Sequence, residues 1–405
     1  MISSLFLALV LAGPQSSQVT GVAGDSAKPP VAVRAPNPPS ADTTADTTFY
    51  ITNRARKRGF LQREFADSLE FGVIISSVIT GTSRAPLDQL VGRVTIRTAD
   101  SAQLSREEFG QRLHAADSAT GETVMYVHGY ATSFARGMTQ ATEIAHRGSH
   151  TGAYVLFSWP AHRAIATWPT FGALISKAYR DDSVSAHKSA GALLEALTVV
   201  RAATSSRSLT LVGLSMGSQL VAAALLPASP VREALTAAPL RAIVFFAPDI
   251  AATRFRDSLA APLAPLAARR VVYVSSHDRM LALSRLVNHS PRAGQASGGL
   301  VLAPADVEVV DVTGGRRAVS GVRKFVDTYH AMRYSGTALY DFYGVVRGVA
   351  ADCRVASGLA ARAGERHWTL TNAAVPDTAT VCPAALAPTP AAATPNASVP
   401  SGTPD

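Results

Sequence analysis

Short apolar runs alternate with longer Ala- and Leu-rich stretches over the middle of the chain, and this alternation constrains the fold more than any other feature. It is the pattern of strand–helix–strand crossovers, which build a mostly parallel sheet. Runs such as VMYV, IVFF and VVYV show no polar alternation, as expected for strands covered by helices on both faces. We therefore predict an α/β fold with a mostly parallel central sheet and helices on both faces. The predicted strands span residues 48–52, 72–80, 123–128, 153–158, 209–213, 242–247, 271–275 and 307–312, and the helices between them include 185–203 and 219–226.

Composition divides the chain into five segments. The apolar run LFLALVL at 5–11 has the length of a signal-peptide core and is far shorter than the ~20 residues of a membrane-spanning helix. We therefore expect a signal peptide at 1–23 and export to the periplasm or the extracellular space. Residues 24–45 and 383–405 lack a hydrophobic period and are predicted as a disordered linker and tail. Between them we predict one α/β domain at 46–350 and an extension at 351–382.

The extension carries Cys353 and Cys382, the only two cysteines of the chain. An even pair in an exported chain predicts one disulfide, and the alternative is two unrelated buried thiols.

The formal net charge of +9 comes from 38 Lys and Arg against 29 Asp and Glu, and most of the cations are Arg. No basic block appears, so we interpret them as dispersed over a solvated surface. We expect no nucleic-acid partner. Contact with a membrane surface has only weak support, and the sequence does not specify an oligomeric state.

A G-x-S-x-G pattern at 213–217 follows the apolar run LTLVG and precedes the helix-forming run SQLVAAALL. This context predicts a nucleophile elbow, a sharp strand-to-helix turn that exposes a serine hydroxyl. Its glycines leave room for the adjoining strand and helix, and the helix amino terminus favours a developing negative charge. Ser215 is therefore the predicted nucleophile.

An oxyanion hole needs two backbone N–H donors, one of them from the loop after an earlier strand. The N–H of Met216, directly after the nucleophile, is the first predicted donor. The run VMYV leads into His128, Gly129 and Tyr130. We predict that the N–H of Tyr130 is the second donor and that Gly129 lets the backbone approach the substrate. Because His128 precedes the nucleophile, against the chain order Ser, acid, His, we predict that it orients this loop.

A serine nucleophile needs a histidine to take its proton, and the histidine needs a carboxylate to fix its tautomer. Asp278 follows the strand-like run VVYVSS and is the predicted acid. Asp249, which follows IVFF, is the alternative acid. If Asp249 is not the acid, it caps a helix or contacts substrate.

The catalytic base should come last in the chain. His330 follows the final predicted strand and is the predicted base. The other histidines fit the order less well, because His277 and His289 lie too near the strand of the acid and His367 lies in the extension.

Taken together, these motifs resemble a bacterial α/β-hydrolase family of uncharacterised function within the esterase/lipase superfamily. The likeness spans residues 48–346, about three quarters of the chain. It implies the α/β-hydrolase fold with a triad of Ser215, Asp278 and His330. One departure is Leu214, where the family often has His at a non-catalytic position. The motifs are FYITNR at 49–54, VHGY at 127–130, FSWP at 157–160, GLSMG at 213–217, APD at 247–249, SSHDR at 275–279 and LSR at 283–285.

Aromatic residues follow the strand at 153–158 and either wall an acyl pocket or pack a helix against the sheet. An apolar wall favours a small-molecule carboxylic ester as substrate. The rival hypotheses are an amidase, peptidase or thioesterase with the same triad, and a non-catalytic cell-envelope binding protein. We expect no cofactor and no metal. The aromatic residues are Trp159, Trp168, Phe171 and Tyr179.

Overall fold

The computed structural model describes residues 42–81, 93–161, 171–205, 207–295, 306–314 and 336–371. Within these residues, one mixed sheet runs through the molecule. Its strands are β1 (Asp42–Lys57), β2 (Phe60–Gly81), β3 (Arg93–Leu104), β4 (Thr123–Val127), β5 (Ala153–Ser158), β6 (Leu209–Leu214), β7 (Leu240–Phe246), β8 (Ala267–Val274), β9 (Glu308–Asp311), β10 (Ala360–Gly364) and β11 (His367–Leu370).

The order of strands across the sheet is β10-β11-β9-β8-β7-β6-β4-β5-β1-β2-β3. Every pairing from β11 to β1 is parallel, whereas β1–β2, β2–β3 and β10–β11 are antiparallel. The mostly parallel sheet predicted from the apolar runs is thus confirmed. Because the strands β4 to β9 run in one direction, the loops that follow them meet at one edge of the sheet, which is where ligands bind in open α/β sheets.

Several helices begin or end at residues with clear capping chemistry. The side chains of Ser105, Ser133 and Ser229 accept hydrogen bonds from backbone N–H groups of the first helical turns that follow them. Gly121 ends the first helix in the left-handed conformation, at φ 64°. The helices are α1 (Arg106–Thr120), α2 (Phe134–Arg147), α3 (Phe171–Lys188), α4 (Ala190–Ala203), α5 (Gly217–Leu225), α6 (Pro230–Ala237), α7 (Arg279–Asn288), α8 (Gly336–Val346) and α9 (Cys353–Ala356), with short helical turns over 252–266.

The core lies in two layers, one on each face of the sheet. Alternate residues of β4 point to opposite layers: Met125 and Val127 belong to one, and Val124 and Tyr126 to the other. Helices α1, α4 and α5 cover the first layer, whereas α2 and α8 cover the second. The helices on both faces explain why the central strands are apolar throughout, as predicted.

The amino-terminal strands are longer than predicted. β1 begins at Asp42, inside the segment predicted as a linker, and β2 extends over 22 residues to Gly81. β3 was not predicted at all. These three strands form an antiparallel meander at one end of the sheet, where polar residues alternate with apolar ones and the continuous apolar signal is absent.

The extension is part of the sheet, which corrects the predicted division at residue 350. β11 pairs in parallel with β9, and β10 closes the edge of the sheet. The buried Arg354 guanidinium joins the extension to the domain through hydrogen bonds to Asp341 (2.6 Å) and Glu308 (2.6 Å). Burial raises the pKa of Glu308, but hydrogen bonds from Arg269 and Arg354 outweigh it and lower that pKa to about 2. Cys353, beside Arg354, is disulfide-bonded, and Cys382 lies outside the described residues.

No single helix of the described residues is long and apolar enough to cross a membrane; only α5 and α6 taken together pass that test, and they are bent by 89° at their junction.

Candidate active site

The predicted catalytic residues follow neighbouring strands at the carboxyl edge of the sheet. Val127 of β4 is in register with Gly213 of β6, and Leu214 is in register with Phe246 of β7. The next neighbour is β8, which leads to Asp278. Ser215 and Asp278 thus follow strands that are two positions apart, or roughly 10 Å across the sheet.

Ser215 lies on the tight turn between β6 and α5. Its φ is 52°, a left-handed value that a serine adopts only where the surrounding structure imposes it. Backbone hydrogen bonds hold this turn against β7 and the loop that follows it. The N–H of Ser215 donates to Phe246 O (2.8 Å), and the Ser215 carbonyl accepts from the Asp249 N–H (3.2 Å). A Cβ atom at Gly217 would lie 2.6 Å from the His128 carbonyl oxygen, so this position tolerates only glycine. The predicted elbow is therefore the observed geometry.

The loop after β4 lies directly against the nucleophile. A Cβ atom at Gly129 would lie 3.2 Å from the Cβ of Ser215 and 3.0 Å from the Leu214 carbonyl oxygen. Among the described residues, the backbone N–H groups of Met216 and Tyr130 have no hydrogen-bond acceptor. Met216 lies at the amino end of α5, where backbone N–H groups have no partner within the helix. Free N–H groups on the two turns beside Ser215 are what an oxyanion hole requires.

Side chains bond several other polar groups of this loop. The N–H of Ala131, whose φ is 52°, donates to the buried Asp182 carboxylate (2.8 Å). Four carbonyls of the loop accept from side chains: His128 O from Trp159 (2.8 Å), Gly129 O from His128 (3.0 Å), Tyr130 O from Thr132 (3.1 Å) and Thr132 O from Arg54 (2.8 Å).

His128 is fully buried and stacks on Trp159, with ring centroids 5.1 Å apart. Burial and the nearby Arg54 charge lower the pKa of His128 to about 3, so the imidazole is neutral at any ordinary pH. Its ring atoms bond the Gly129 carbonyl and the Ser158 hydroxyl. These contacts fit an orienting role for His128.

Asp278 is buried at the amino end of α7, where its carboxylate accepts the N–H of Leu281 (2.9 Å). This bond uses one of the two carboxylate oxygens, and Asp278 makes a further interaction besides it. An N-cap carboxylate that retains accepting capacity can hold an imidazole N–H.

Asp249 is also buried, but donors surround its carboxylate. Arg292 Nε donates to it at 2.6 Å, Ser284 Oγ at 2.5 Å and Tyr179 Oη at 2.9 Å. The Arg292 side chain is itself buried, so the two charges form an ion pair inside the protein. Burial and the neighbouring Asp249 charge raise the pKa of Tyr179 to about 12, which keeps the phenol a donor.

The other histidines divide between described and undescribed residues. His330, the predicted base, lies outside the described residues. His277 and His289 are exposed on either side of α7, and His367 lies in β11. Of the aromatic stretch, Trp159 and Tyr179 pack in the core, whereas Trp168 and the Phe171 side chain lie outside the described part of the chain.

Sequence reasoning missed the polar residues that support the site: Arg54, Ser158, Asp182 and Arg292. All four side chains are buried. The burial of Arg54 and Arg292 corrects the interpretation of the arginines as dispersed over a solvated surface. The available signal was that Arg54 and Ser158 lie within the motifs FYITNR and FSWP. Within the described parts of the chain, no group of three or more His, Cys, Asp or Glu side chains is placed to bind a metal ion.

A family model described as "Alpha/beta hydrolase of unknown function (DUF900)" matches residues 101–314. No curated protein matches the chain. Among solved structures, a hormone-sensitive lipase from a metagenome library is 15% identical, with a TM-score of 0.28 over 56% of this chain and 77% of that one. A cold-adapted esterase from an Arctic intertidal metagenomic library is 11% identical (TM-score 0.31, 74% and 93%). An arylesterase is 12% identical (TM-score 0.27, 76% and 87%). At these TM-scores the likenesses carry no weight for the site or its substrate.

Proposed function

We propose that the protein is a serine hydrolase that cleaves carboxylic esters. The family match over residues 101–314 spans more than half of the chain, so the protein belongs to that α/β-hydrolase family. The observation that carries the proposal is the pair of free backbone N–H groups, Met216 and Tyr130, beside a serine held at φ 52°. A strained nucleophile with two adjacent donors is the arrangement that acyl transfer needs.

The reaction follows from the role of each group. The Ser215 hydroxyl attacks the ester carbonyl while His330 takes its proton, and the N–H groups of Met216 and Tyr130 stabilise the oxyanion. His330 then protonates the leaving alcohol, and water hydrolyses the acyl-enzyme by the same steps in reverse. Asp278 fixes the tautomer of His330 and stabilises its charged form. Each oxyanion donor contributes about 10²–10³ in kcat.

The state of the two carboxylates supports Asp278 over Asp249 as the acid. Arg292, Ser284 and Tyr179 already bond the Asp249 carboxylate, so a histidine would have to displace a charged donor. Charge-assisted hydrogen bonds of this kind are about twice as strong as neutral ones. Asp249 instead acts on the elbow through its backbone, since its N–H bonds the Ser215 carbonyl.

Among the substrates open to this triad we propose an ester, and an amide or thioester is the competing substrate class. A panel of p-nitrophenyl esters and matched anilides separates these classes. We expect turnover of esters by the wild type, and a loss on the order of 10⁶ in Ser215→Ala with an unchanged thermal unfolding midpoint.

The outcomes discriminate between the readings. Turnover of anilides above esters would assign an amidase. Ester turnover that survives in Ser215→Ala at more than a few per cent would remove Ser215 as the nucleophile. A wild type without turnover of any substrate would favour a non-catalytic binding protein.

A further inference from the structure

We propose that Arg54 and Ser158 are positioning residues for the oxyanion hole: through His128 they fix the orientation of the peptide group between Gly129 and Tyr130. The inference rests on the proposed function, because it concerns the donor that this function assigns to Tyr130. It assigns a role to a buried charge that the catalytic steps themselves do not use.

The direction of each hydrogen bond follows from the chemistry of the groups. A guanidinium has no acceptor, so Arg54 Nε donates to Ser158 Oγ (3.0 Å). The Ser158 hydroxyl lies 3.3 Å from His128 Nε2, and His128 Nδ1 lies 3.0 Å from the Gly129 carbonyl oxygen. A carbonyl only accepts, so Nδ1 carries the proton and Nε2 accepts the proton of Ser158. Only a neutral His128 can make both of its bonds in this series. We call the series of Arg54, Ser158, His128 and the Gly129 carbonyl the Arg54 relay.

The Arg54 relay determines where the Tyr130 N–H points. The carbonyl of Gly129 and the N–H of Tyr130 belong to one planar trans peptide group, so they point in opposite directions. When His128 holds the carbonyl, the N–H is directed away from the imidazole. Loss of the relay would free this peptide group to rotate, because the flanking Gly129 allows a wide range of backbone angles.

The same guanidinium also holds the end of the loop. Arg54 Nη2 donates to the Thr132 carbonyl (2.8 Å), and Arg54 Nη1 donates to the Gln62 carbonyl (3.2 Å). Burial lowers the pKa of Arg54 to about 10, so the group is charged at neutral pH. The nearby Asp182 carboxylate opposes that shift and binds the Ala131 N–H. Buried charges from β1 and α3 thus hold the carboxyl end of the loop.

The test compares two buried serines that are matched in their contacts. The Ser158 hydroxyl accepts a hydrogen bond from Arg54, and the Ser189 hydroxyl accepts one from Asn53, the residue before Arg54 in the chain (3.0 Å). Ser189 lies outside the relay. In Ser158→Ala we expect kcat to fall about 10- to 100-fold with KM within about threefold, because the Tyr130 donor acts on the transition state. In Ser189→Ala we expect kcat within about twofold of the wild type.

A second readout reports the oxyanion site directly. An alkyl boronic acid forms a tetrahedral adduct with the nucleophile, so its affinity should fall in Ser158→Ala by the same factor as kcat and stay unchanged in Ser189→Ala. Both variants are assayed well below their unfolding midpoints. Equal kcat in the two variants, or a Ser158→Ala loss that appears only in KM, would overturn the relay alone. A wild type that neither turns over esters nor binds the boronic acid would overturn the proposed function and the relay together.

Discussion

Exchanging each of the two candidate acids for its amide should have opposite consequences for stability and for activity. Asp249→Asn removes the negative partner of Arg292, whose side chain is only 6% exposed. Breaking a buried ion pair on one side costs about 3–5 kcal/mol, because it leaves the remaining charge uncompensated. For a domain of this size, about 2 °C is lost per kcal/mol, so the unfolding midpoint should fall by roughly 6–10 °C.

Asp278→Asn should leave stability nearly unchanged. The carboxylate caps α7 through the Leu281 N–H, and asparagine is an equally good N-cap. We expect a change within about 1 kcal/mol. Its activity, however, should fall by about 10⁴, because an amide in this position favours the wrong histidine tautomer.

The assay must separate rate from the amount of folded enzyme. Circular dichroism gives the unfolding midpoint of each variant and its folded fraction at the assay temperature, so that kcat can be expressed per folded molecule. Per folded molecule, Asp249→Asn should retain activity within about tenfold. A stable Asp249→Asn variant that loses about 10⁴ in kcat, beside an active Asp278→Asn variant, would assign the acid to Asp249 and refute the reasoning from its saturated carboxylate.

Two further predictions concern pH and redox state. Because the pKa of His128 falls from 6.5 to about 3 on folding, the unfolded chain alone binds this proton between those values, and stability falls as the pH drops below 6.5. This group should change the free energy of unfolding by about 1.4 kcal/mol per pH unit. In urea unfolding at about pH 5 to 7, the free energy of unfolding should therefore depend less steeply on pH in His128→Gln than in the wild type. Equal slopes in the two proteins would contradict the buried neutral imidazole. Reduction of the Cys353 disulfide should lower the free energy of unfolding by about 3 kcal/mol, given a Cys353–Cys382 loop of about 30 residues. We also propose that the protein is exported. Non-reducing peptide mapping of protein from the native host should then find the Cys353–Cys382 cross-link in a chain without its first ~20 residues. Free thiols on a chain that starts at Met1 would contradict both the export and the disulfide.

The parts of the fold that sequence predicted well are those with local signals. The central strands β4 to β8 are short, apolar and bounded by turns, so their positions can be found from hydrophobic runs alone. The elbow at Ser215 likewise depends on glycines that lie within two residues of it. The outer strands lack such signals over part of their length: the first half of β2 carries charged residues, and β10 reads AARAG.

The support of the site was beyond sequence reasoning for a different reason. Arg54 and Arg292 look like surface cations in a sequence, because nothing near them in the chain marks their partners. Arg54 bonds a loop 78 residues away, and Arg292 bonds Asp249 43 residues away. Buried charges need such partners. Only the folded arrangement of the strands identifies them.

The central claim is that Ser215 is an activated nucleophile, and covalent labelling tests it most directly. A fluorophosphonate reacts with a serine only when a base and an oxyanion hole activate the hydroxyl. After labelling of the native protein, peptide mass spectrometry should place the adduct on Ser215, with no adduct in Ser215→Ala or in heat-unfolded wild type. Labelling at another serine, or no labelling of a folded wild type, would contradict the account.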